Sequence, residues 1–391
     1  MGVSRSVTEA ISRASWIRRM FEEGLRLKAE RGEANVFDFS LGNPDLEPPP
    51  ALLAALRRVV EENRPRSHAY MPNAGYPEVR AEIARRFRDA TGLPYTADHI
   101  IMTVGAAGAL NATLKALLDP GDEVLLLAPF FAEYQFYVTN HGGRVVVVET
   151  DEDCQPVVER IVAAITPRTR ALIVNSPNNP SGVVYPARFF GELEERLAAL
   201  GHPLTVLSDE PYRALAFRGV DVPQVPRYLT RAVVCDSWSK ALAIPGERVG
   251  CIAISPKMAD AAELFAAAVF TNRILGFVNA PAIWQWTIAA AGDLRVDPAQ
   301  YERRCGRVEA ALREMGYEVV KPQGGFYVFP KTPVADELAF IGILKEEGIL
   351  AVPGRGFGRP GYMRLSLTLP DQAIERALPG FARALRKAKG L

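Results

Sequence analysis

Residues 232–250 read AVVCDSWSKALAIPGERVG. An apolar run stops at Asp236 and Ser237, a single lysine follows at Lys240, and an arginine stands eight residues further on at Arg248. Lysine is scarce in this chain, nine residues against 37 arginines, so its place just past an apolar run calls for a reason. A short run rich in Val, bounded by polar residues, predicts a buried strand. The same pattern recurs on either side. HIIMTV (99–104), DEVLLLA (122–128), RVVVVET (144–150), RALIVNS (170–176), LTVLSDE (204–210) and VGCIAIS (249–255) all predict strands. AAGALNATLKALL (106–118), FFAEYQFYVTNHGG (130–143) and PARFFGELEERLAALG (186–201) predict helices between them. Continuous apolar strands separated by helices point to a mainly parallel sheet covered on both faces. In such sheets ligands bind beyond the carboxyl ends of the strands.

The rest of the chain frames this centre. Residues from about 8 to 32 have helical periodicity, and VFDFSLGNPD (36–45) predicts a short strand and a turn. Past about 295 a charged helix (298–316), short strands in YEVVKPQGGFYVFP (317–330), ILAVPG (349–354) and YMRLSLT (362–368), and a basic last helix suggest a smaller α+β unit. With 391 residues two domains are expected. They are a large domain over 46–290, and an arm and small domain from 1–45 with 291–391.

Composition excludes several classes. Lys+Arg total 46 and Asp+Glu 45, so there is no basic excess for nucleic acid. No stretch of about 18 charge-free apolar residues predicts a membrane span, and the amino terminus lacks the apolar core of a signal peptide. Cys154, Cys235, Cys251 and Cys305 form no C-x-x-C pair, and the four histidines show no ligand spacing, so no metal site is expected. Reduced, buried thiols in a cytoplasmic protein are the expected state.

Polar residues cluster just past the predicted strands. Gly105, Ala106 and Ala107 stand at a strand-to-helix turn, Phe131 past a second strand, and Asn179 in a turn-rich loop past a third. Asp209 and Tyr212 follow a fourth, and Ser237 and Lys240 a fifth. A helix start offers free N–H groups to a phosphate. An aromatic residue stacks on a ring. A buried carboxylate holds a ring nitrogen protonated, and a lysine of lowered pKa condenses with an aldehyde. Taken singly, Asp209 reads equally as a helix cap, NNPSG (178–182) as an ordinary turn, Phe131 as core and Lys240 as a surface residue. Their convergence on one crevice favours a site for a flat, phosphorylated, aromatic cofactor.

At this point the chain resembles the pyridoxal-phosphate (PLP) enzymes of fold type I, the class I/II aminotransferases of the aspartate aminotransferase superfamily. The resemblance runs from about residue 36 to the end. SWSKALAIPGERVG is similar to the family's serine-x-x-lysine segment with its downstream arginine, NNPSG to its N-P-[ST]-G turn, and SDEPY to its D-E-x-Y segment. LGNPD, YMPNAGYPEVR, QGGFYVF, VPGRGFG and YMRLS follow in family order. The resemblance implies a fold-type-I large domain, with a seven-stranded type of sheet, and an aminotransferase that passes an amino group from an L-amino acid to a 2-oxo acid through pyridoxamine phosphate. It implies that Lys240 forms the Schiff base with PLP and moves the proton, that Asp209 pairs with the pyridine nitrogen, and that Asn179 and Tyr212 bond the phenolic oxygen. Phe131 would stack on the ring. Gly105, the amides of Ala106 and Ala107, Ser237 and Arg248 would hold the phosphate, with Tyr70 reaching across a homodimer that shares its sites. Arg364 would take the substrate α-carboxylate, with Gly42 contributing backbone.

Two departures bear on the substrate. Many relatives carry a hydroxyl residue or a lysine after the first phosphate-loop glycine, where this chain has Ala106 and Ala107. One aspartate-active branch places a lysine near position 107 for the distal carboxylate. Arg273, 33 residues past Lys240, is the candidate substitute, and a surface arginine is the alternative. A carbon–sulfur β-lyase needs the same lysine and is the alternative within the fold. A non-catalytic regulator with an aminotransferase-like domain is the alternative outside enzymes. It would carry an added DNA-binding segment, for which the roughly 35 residues before the domain are too few.

Overall fold

The computed structural model of the protein describes residues 2–5, 7–8, 11 and 16–390. Of the helical stretch expected near 8–32, Trp16–Arg31 is a helix, while residues 9, 10 and 12–15 lie outside the described residues. In chain order the strands are β1 (Phe37–Asp38), β2 (Ile100–Thr103), β3 (Glu123–Ala128), β4 (Arg144–Glu149), β5 (Thr169–Asn175), β6 (Thr205–Asp209), β7 (Ala232–Ser237), β8 (Gly250–Ile254), β9 (Tyr327–Val328), β10 (Ile349–Leu350), β11 (Val352–Pro353) and β12 (Met363–Ser366).

Among the described residues seven strands make one sheet in the order β2-β8-β7-β6-β5-β3-β4. Pairing is parallel from β4 through β3, β5 and β6 to β7. Every residue of β2, β6 and β8 is buried, as expected for strands covered on both faces. β4, at one edge of the sheet, keeps only Val148 buried. The chain is therefore α/β, with a mainly parallel sheet. The pattern of apolar runs did not distinguish β8, which pairs antiparallel with both β7 and β2. Residues 238–249 between β7 and β8 hold only the short helix Trp238–Ala241 and a 3-10 turn. A parallel return needs a long crossover, usually a helix, so the strand doubles back. This reversal hangs the segment that carries Lys240 and Arg248 over the carboxyl edge of the sheet.

The reversal also brings Gly250 against Gly105. A Cβ on Gly250 would lie 2.5 Å from the Asp236 carbonyl oxygen and 2.7 Å from the Gly105 carbonyl carbon. Gly105 itself has φ +78° and opens the helix Gly105–Leu117. Past the sheet, β11, β12 and β9 form an antiparallel trio, and β1 pairs with β10 in parallel. Helices Ala299–Met315, Glu337–Glu346 and Asp371–Ala388 cover these strands around a core that includes Val308, Phe326, Phe340 and Phe381. Tyr212 joins the same core and links it to the edge of the large sheet. No helix among the described residues is long and apolar enough to cross a membrane.

Gly250→Ala is expected to lower stability by about 1–3 kcal/mol, because both colliding atoms are backbone and the packing cannot relax by a rotamer change. Urea denaturation measures it, and a stability equal to that of the native chain would show that β8 has room to shift.

Candidate active site

Adjacent strand ends build the floor of the site. Register pairs Asn175, the last residue of β5, with Asp209, the last of β6. The Asn175 amide donates to the Asp209 carbonyl at 2.9 Å, and its oxygen accepts from the Asn179 N–H at 2.7 Å. Asn178 closes the turn by accepting from the Ser181 N–H at 3.0 Å and hydroxyl at 2.7 Å. The loop after β5 is thus fixed by side chains that satisfy its backbone, and Asn179 is buried over Asp209 rather than exposed at a loop tip.

A cavity of about 310 Å³ opens above this floor. Gly42, Ala106, Ala107, Phe131, Asn179, Asp209, Tyr212, Ser237, Lys240, Arg248 and Arg364 all line it. Gly105 stands behind the wall, where a Cβ would come within 2.8 Å of the Arg248 guanidinium. A larger groove of about 810 Å³ runs on the other side of Ser237 and Trp238, but Lys240, Asp209 and Arg364 do not line it. The smaller cavity, where the ionisable groups converge, is the candidate site.

Its charges are held in unusual states. Burial lowers the pKa of Lys240 to about 8, helped by the positive charges of Arg248 and Arg364, so a neutral amine is accessible near neutrality. Its Nζ donates to the Gly42 carbonyl at 2.9 Å. Burial raises the Asp209 carboxyl to about 7 against a hydrogen bond from the Tyr134 hydroxyl that favours the ionised form. That bond fills Oδ2, while Oδ1 is buried with no partner among the described residues. Arg364 is only 1% exposed. It donates to the Asn179 side-chain oxygen at 3.1 Å and to the Ser40 carbonyl at 2.6 Å, and its guanidinium lies between the rings of Tyr327 and Phe357. Its Nε has no partner among the described residues.

The opposite end gathers the kinds of donor that an anion would need. The helix Gly105–Leu117 begins at the wall with no side-chain cap, so its first N–H groups are open. The Arg248 guanidinium is tethered beside it by the carbonyls of Pro245 at 2.9 Å and Val104 at 3.3 Å. One cavity therefore combines a nucleophilic amine, an unfilled carboxylate oxygen, an anion cradle and a buried arginine.

Two expected residues are not brought in by this chain. Tyr70 is 92% exposed and lines a shallow hollow with His68, Phe277 and Val278. Arg273 is exposed on the helix Ala261–Ile274, its guanidinium 5.4 Å from the Phe270 ring centre. Conversely, sequence reasoning assigned no role to Tyr134, Asn175, Ser40 or Tyr327. Asn175 and Tyr134 stand at strand ends like the residues that were chosen. Ser40 and Tyr327 act through contacts with distant parts of the chain that leave no local pattern.

The profile of the family Aminotransferase class I and II matches residues 34–381. The chain is 36% identical to the aspartate/prephenate aminotransferase of Thermus thermophilus over 93% of its length and 94% of that protein's. It is 33% identical to the aspartate aminotransferase of Geobacillus stearothermophilus over 91% and 92%. Among solved structures, an aminotransferase from Eubacterium rectale superposes with TM-score 0.95 at 36% identity, covering 99% of both chains. The Thermus thermophilus aspartate aminotransferase with maleate superposes with TM-score 0.87 at 32% identity, covering 98% of this chain and 100% of that one.

A buried acid of raised pKa costs stability as it ionises. For Asp209 the cost grows as pH rises from its ordinary value, 3.8, to about 7, and is complete above that. Asp209→Asn should therefore raise the melting temperature of the cofactor-free protein more at pH 8 than at pH 5. Scanning fluorimetry at the two pH values tests this, and an equal change at both would show that Asp209 is not held protonated by burial.

Proposed function

We propose how this chain, which belongs to the aminotransferase class I and II family, moves an amino group from an L-amino acid to a 2-oxo acid: pyridoxal 5′-phosphate, the cofactor that membership implies, lies in the cavity between β6, the start of helix Gly105–Leu117 and Lys240. The observation that carries this reading is Asp209 Oδ1, a buried carboxylate oxygen without a partner among the described residues. A protonated ring nitrogen fills such a vacancy, and its charge lowers the raised pKa of the acid. The other donors fit as well. The open amides at Ala106 and Ala107, with Ser237 and Arg248, suit a phosphate. Asn179 and Tyr212 suit the phenolic oxygen, Phe131 the ring face and Lys240 the aldehyde.

Bound there, the cofactor supplies a carbonyl that takes up the amino group and a conjugated ring that delocalises the electron pair left on the substrate Cα. Asp209, once ionised, keeps the ring nitrogen protonated. Arg364 receives the α-carboxylate through a charge-assisted pair, beside the Gly42 backbone, and so aims Cα at Lys240. Lys240 Nζ, neutral in part because of its lowered pKa, removes the Cα proton and holds it until its return.

The reading extends to assembly and place. Residues 46–290 form the cofactor-binding large domain, and 1–45 with 291–391 the arm and small domain. The working form is a cytoplasmic homodimer with shared sites, in which Tyr70 serves the phosphate of the neighbouring subunit and Arg273 the distal end of its substrate. In support, both side chains are exposed here, and Tyr70 shares its hollow with Phe277 and Val278, a few residues past Arg273. Four free, buried cysteines suit a reducing compartment. The substrates are of the aspartate, glutamate and alanine type, and several relatives are named aspartate aminotransferases.

Lys240→Ala should lose about 10²–10⁴-fold in transamination, since the proton has no other base. Stopped-flow conversion of the loaded enzyme by a donor amino acid measures it, and turnover close to wild type would end the reading. For Arg273→Ala, kcat/KM should fall at least about tenfold for glutamate and little for alanine, as a lost carboxylate contact requires. Equal, small changes for both substrates would remove Arg273 from the site.

A further inference from the structure

We infer that Tyr327 is a positioning residue of this site: its hydroxyl fixes the direction in which Tyr212 donates its proton, and its ring carries the guanidinium of Arg364. The inference rests on the reading in which Tyr212 faces the cofactor's phenolic oxygen and Arg364 the substrate carboxylate.

Tyr327 opens β9, and its backbone pairs with Ser366 of β12, two residues past Arg364. Four side chains close a circuit from there. The hydroxyls of Tyr327 and Tyr212 are 3.2 Å apart. The Asn179 amide nitrogen donates to the Tyr212 hydroxyl at 3.5 Å. The Asn179 oxygen accepts from Arg364 at 3.1 Å. The Arg364 guanidinium returns to lie 4.6 Å from the Tyr327 ring centre. All four residues are buried.

A phenol has one proton to give and two lone pairs to receive with. Among the described residues the Tyr327 hydroxyl has one hydrogen-bond partner, the Tyr212 oxygen. Burial holds both phenols protonated. Either hydroxyl can be the donor of this bond, and both tyrosines line the cavity; with the anionic phenolic oxygen of the cofactor beside Tyr212, the Tyr212 proton goes to that anion and Tyr327 donates to Tyr212. Tyr212 then accepts twice, from Tyr327 and from Asn179, and its own O–H is left to point into the cavity, where the phenolic oxygen of the cofactor is proposed to lie. Accepting a hydrogen bond also makes a phenol a better donor, because chained bonds polarise one another.

The chain makes room for this hydroxyl at a cost elsewhere. A Cβ on Gly42 would overlap the Tyr327 oxygen, so only glycine fits at 42 while Tyr327 holds its place. The carbonyl of the same Gly42 receives Lys240 Nζ at 2.9 Å. The phenol and the lysine amine therefore pack against one peptide unit.

Tyr327→Phe keeps the ring under Arg364 and deletes only the proton, whereas Tyr327→Leu deletes both. The experiment titrates the visible absorbance of the PLP-loaded enzyme against pH and measures KM for a donor amino acid. In Tyr327→Phe the anionic form of the cofactor's phenolic oxygen loses part of its donor. The absorbance midpoint should rise by about half a pH unit or more, while KM stays within about twofold. In Tyr327→Leu the midpoint should rise likewise, and KM should also increase about fivefold or more, as the lost cation–ring contact predicts. In a Tyr212→Phe background, Tyr327→Phe should move the midpoint no further. A Tyr327→Phe enzyme that binds a full complement of PLP and titrates like wild type overturns the inference, as does an equal shift in the Tyr212→Phe background. A wild-type protein that takes up no PLP chromophore overturns the cofactor reading, and the inference with it.

Discussion

Arg364 is a charge that cannot be discharged. A guanidinium keeps its proton in proteins, and this one is buried in the same cavity wall as the half-buried Lys240. Burying an unpaired ion is expensive, so the surroundings are arranged to offset it. The Ser40 carbonyl and the Asn179 oxygen accept two of its bonds, and two aromatic faces enclose it. Those partners come from three parts of the chain: the segment after β1, the loop after β5, and the strands and turn around β12. The segment after β1 is in turn pinned to β12 and the residues just after it, where the Ser366 N–H donates to the Phe39 carbonyl at 2.8 Å and the Thr368 hydroxyl to the Leu41 carbonyl at 3.0 Å. The Gly42 carbonyl then holds Lys240. Both cations are thus fixed by one short stretch, residues 40–42, and displacing that stretch would release both.

What the sequence shows and what it hides follow from the range of the interactions. Strand ends are local events: an apolar run stops and a polar residue follows. Asp209, Ser237 and Lys240 were legible for that reason, and so was the helix start at Gly105. The sheet's composition was legible too, because strands covered on both faces read as continuous apolar runs. The reversal of β8 was not, since an apolar run looks the same in either direction and only the length of its connection decides. Helices Ala261–Ile274 and Ala282–Ala291 were also passed over. They are apolar on most faces, and a helix without a polar stripe gives no period to read. Ser40 and Tyr327 escaped because their partners lie hundreds of residues away.

The alanines at 106 and 107 leave the helix start without side-chain donors, so an anion there would be held by backbone. Side-chain donors at these positions would add hydrogen bonds whose geometry depends on rotamers. Here the backbone supplies the donors at an uncapped helix start, and backbone groups at the end of a packed helix have little freedom to lose. The arginine beside them is tethered at both terminal nitrogens, to Pro245 and Val104. Gly105 and Gly250 let these pieces approach so closely.

The same accounting bears on substrate choice. Within the described residues the cavity holds three cations, Lys240, Arg248 and Arg364, and one carboxyl, Asp209. Burial lowers the pKa of Lys240, Arg248 is tethered beside the helix start by the Pro245 and Val104 carbonyls, and Arg364 already donates to Ser40 and Asn179. A second carboxylate on the substrate would find no free cation in this wall, and an uncompensated charge in a closed site costs more than most contacts return. A dicarboxylic substrate would therefore need a cation brought from outside that wall. Arg273, exposed on its helix with its guanidinium against Phe270, would be available for that in the homodimer proposed above.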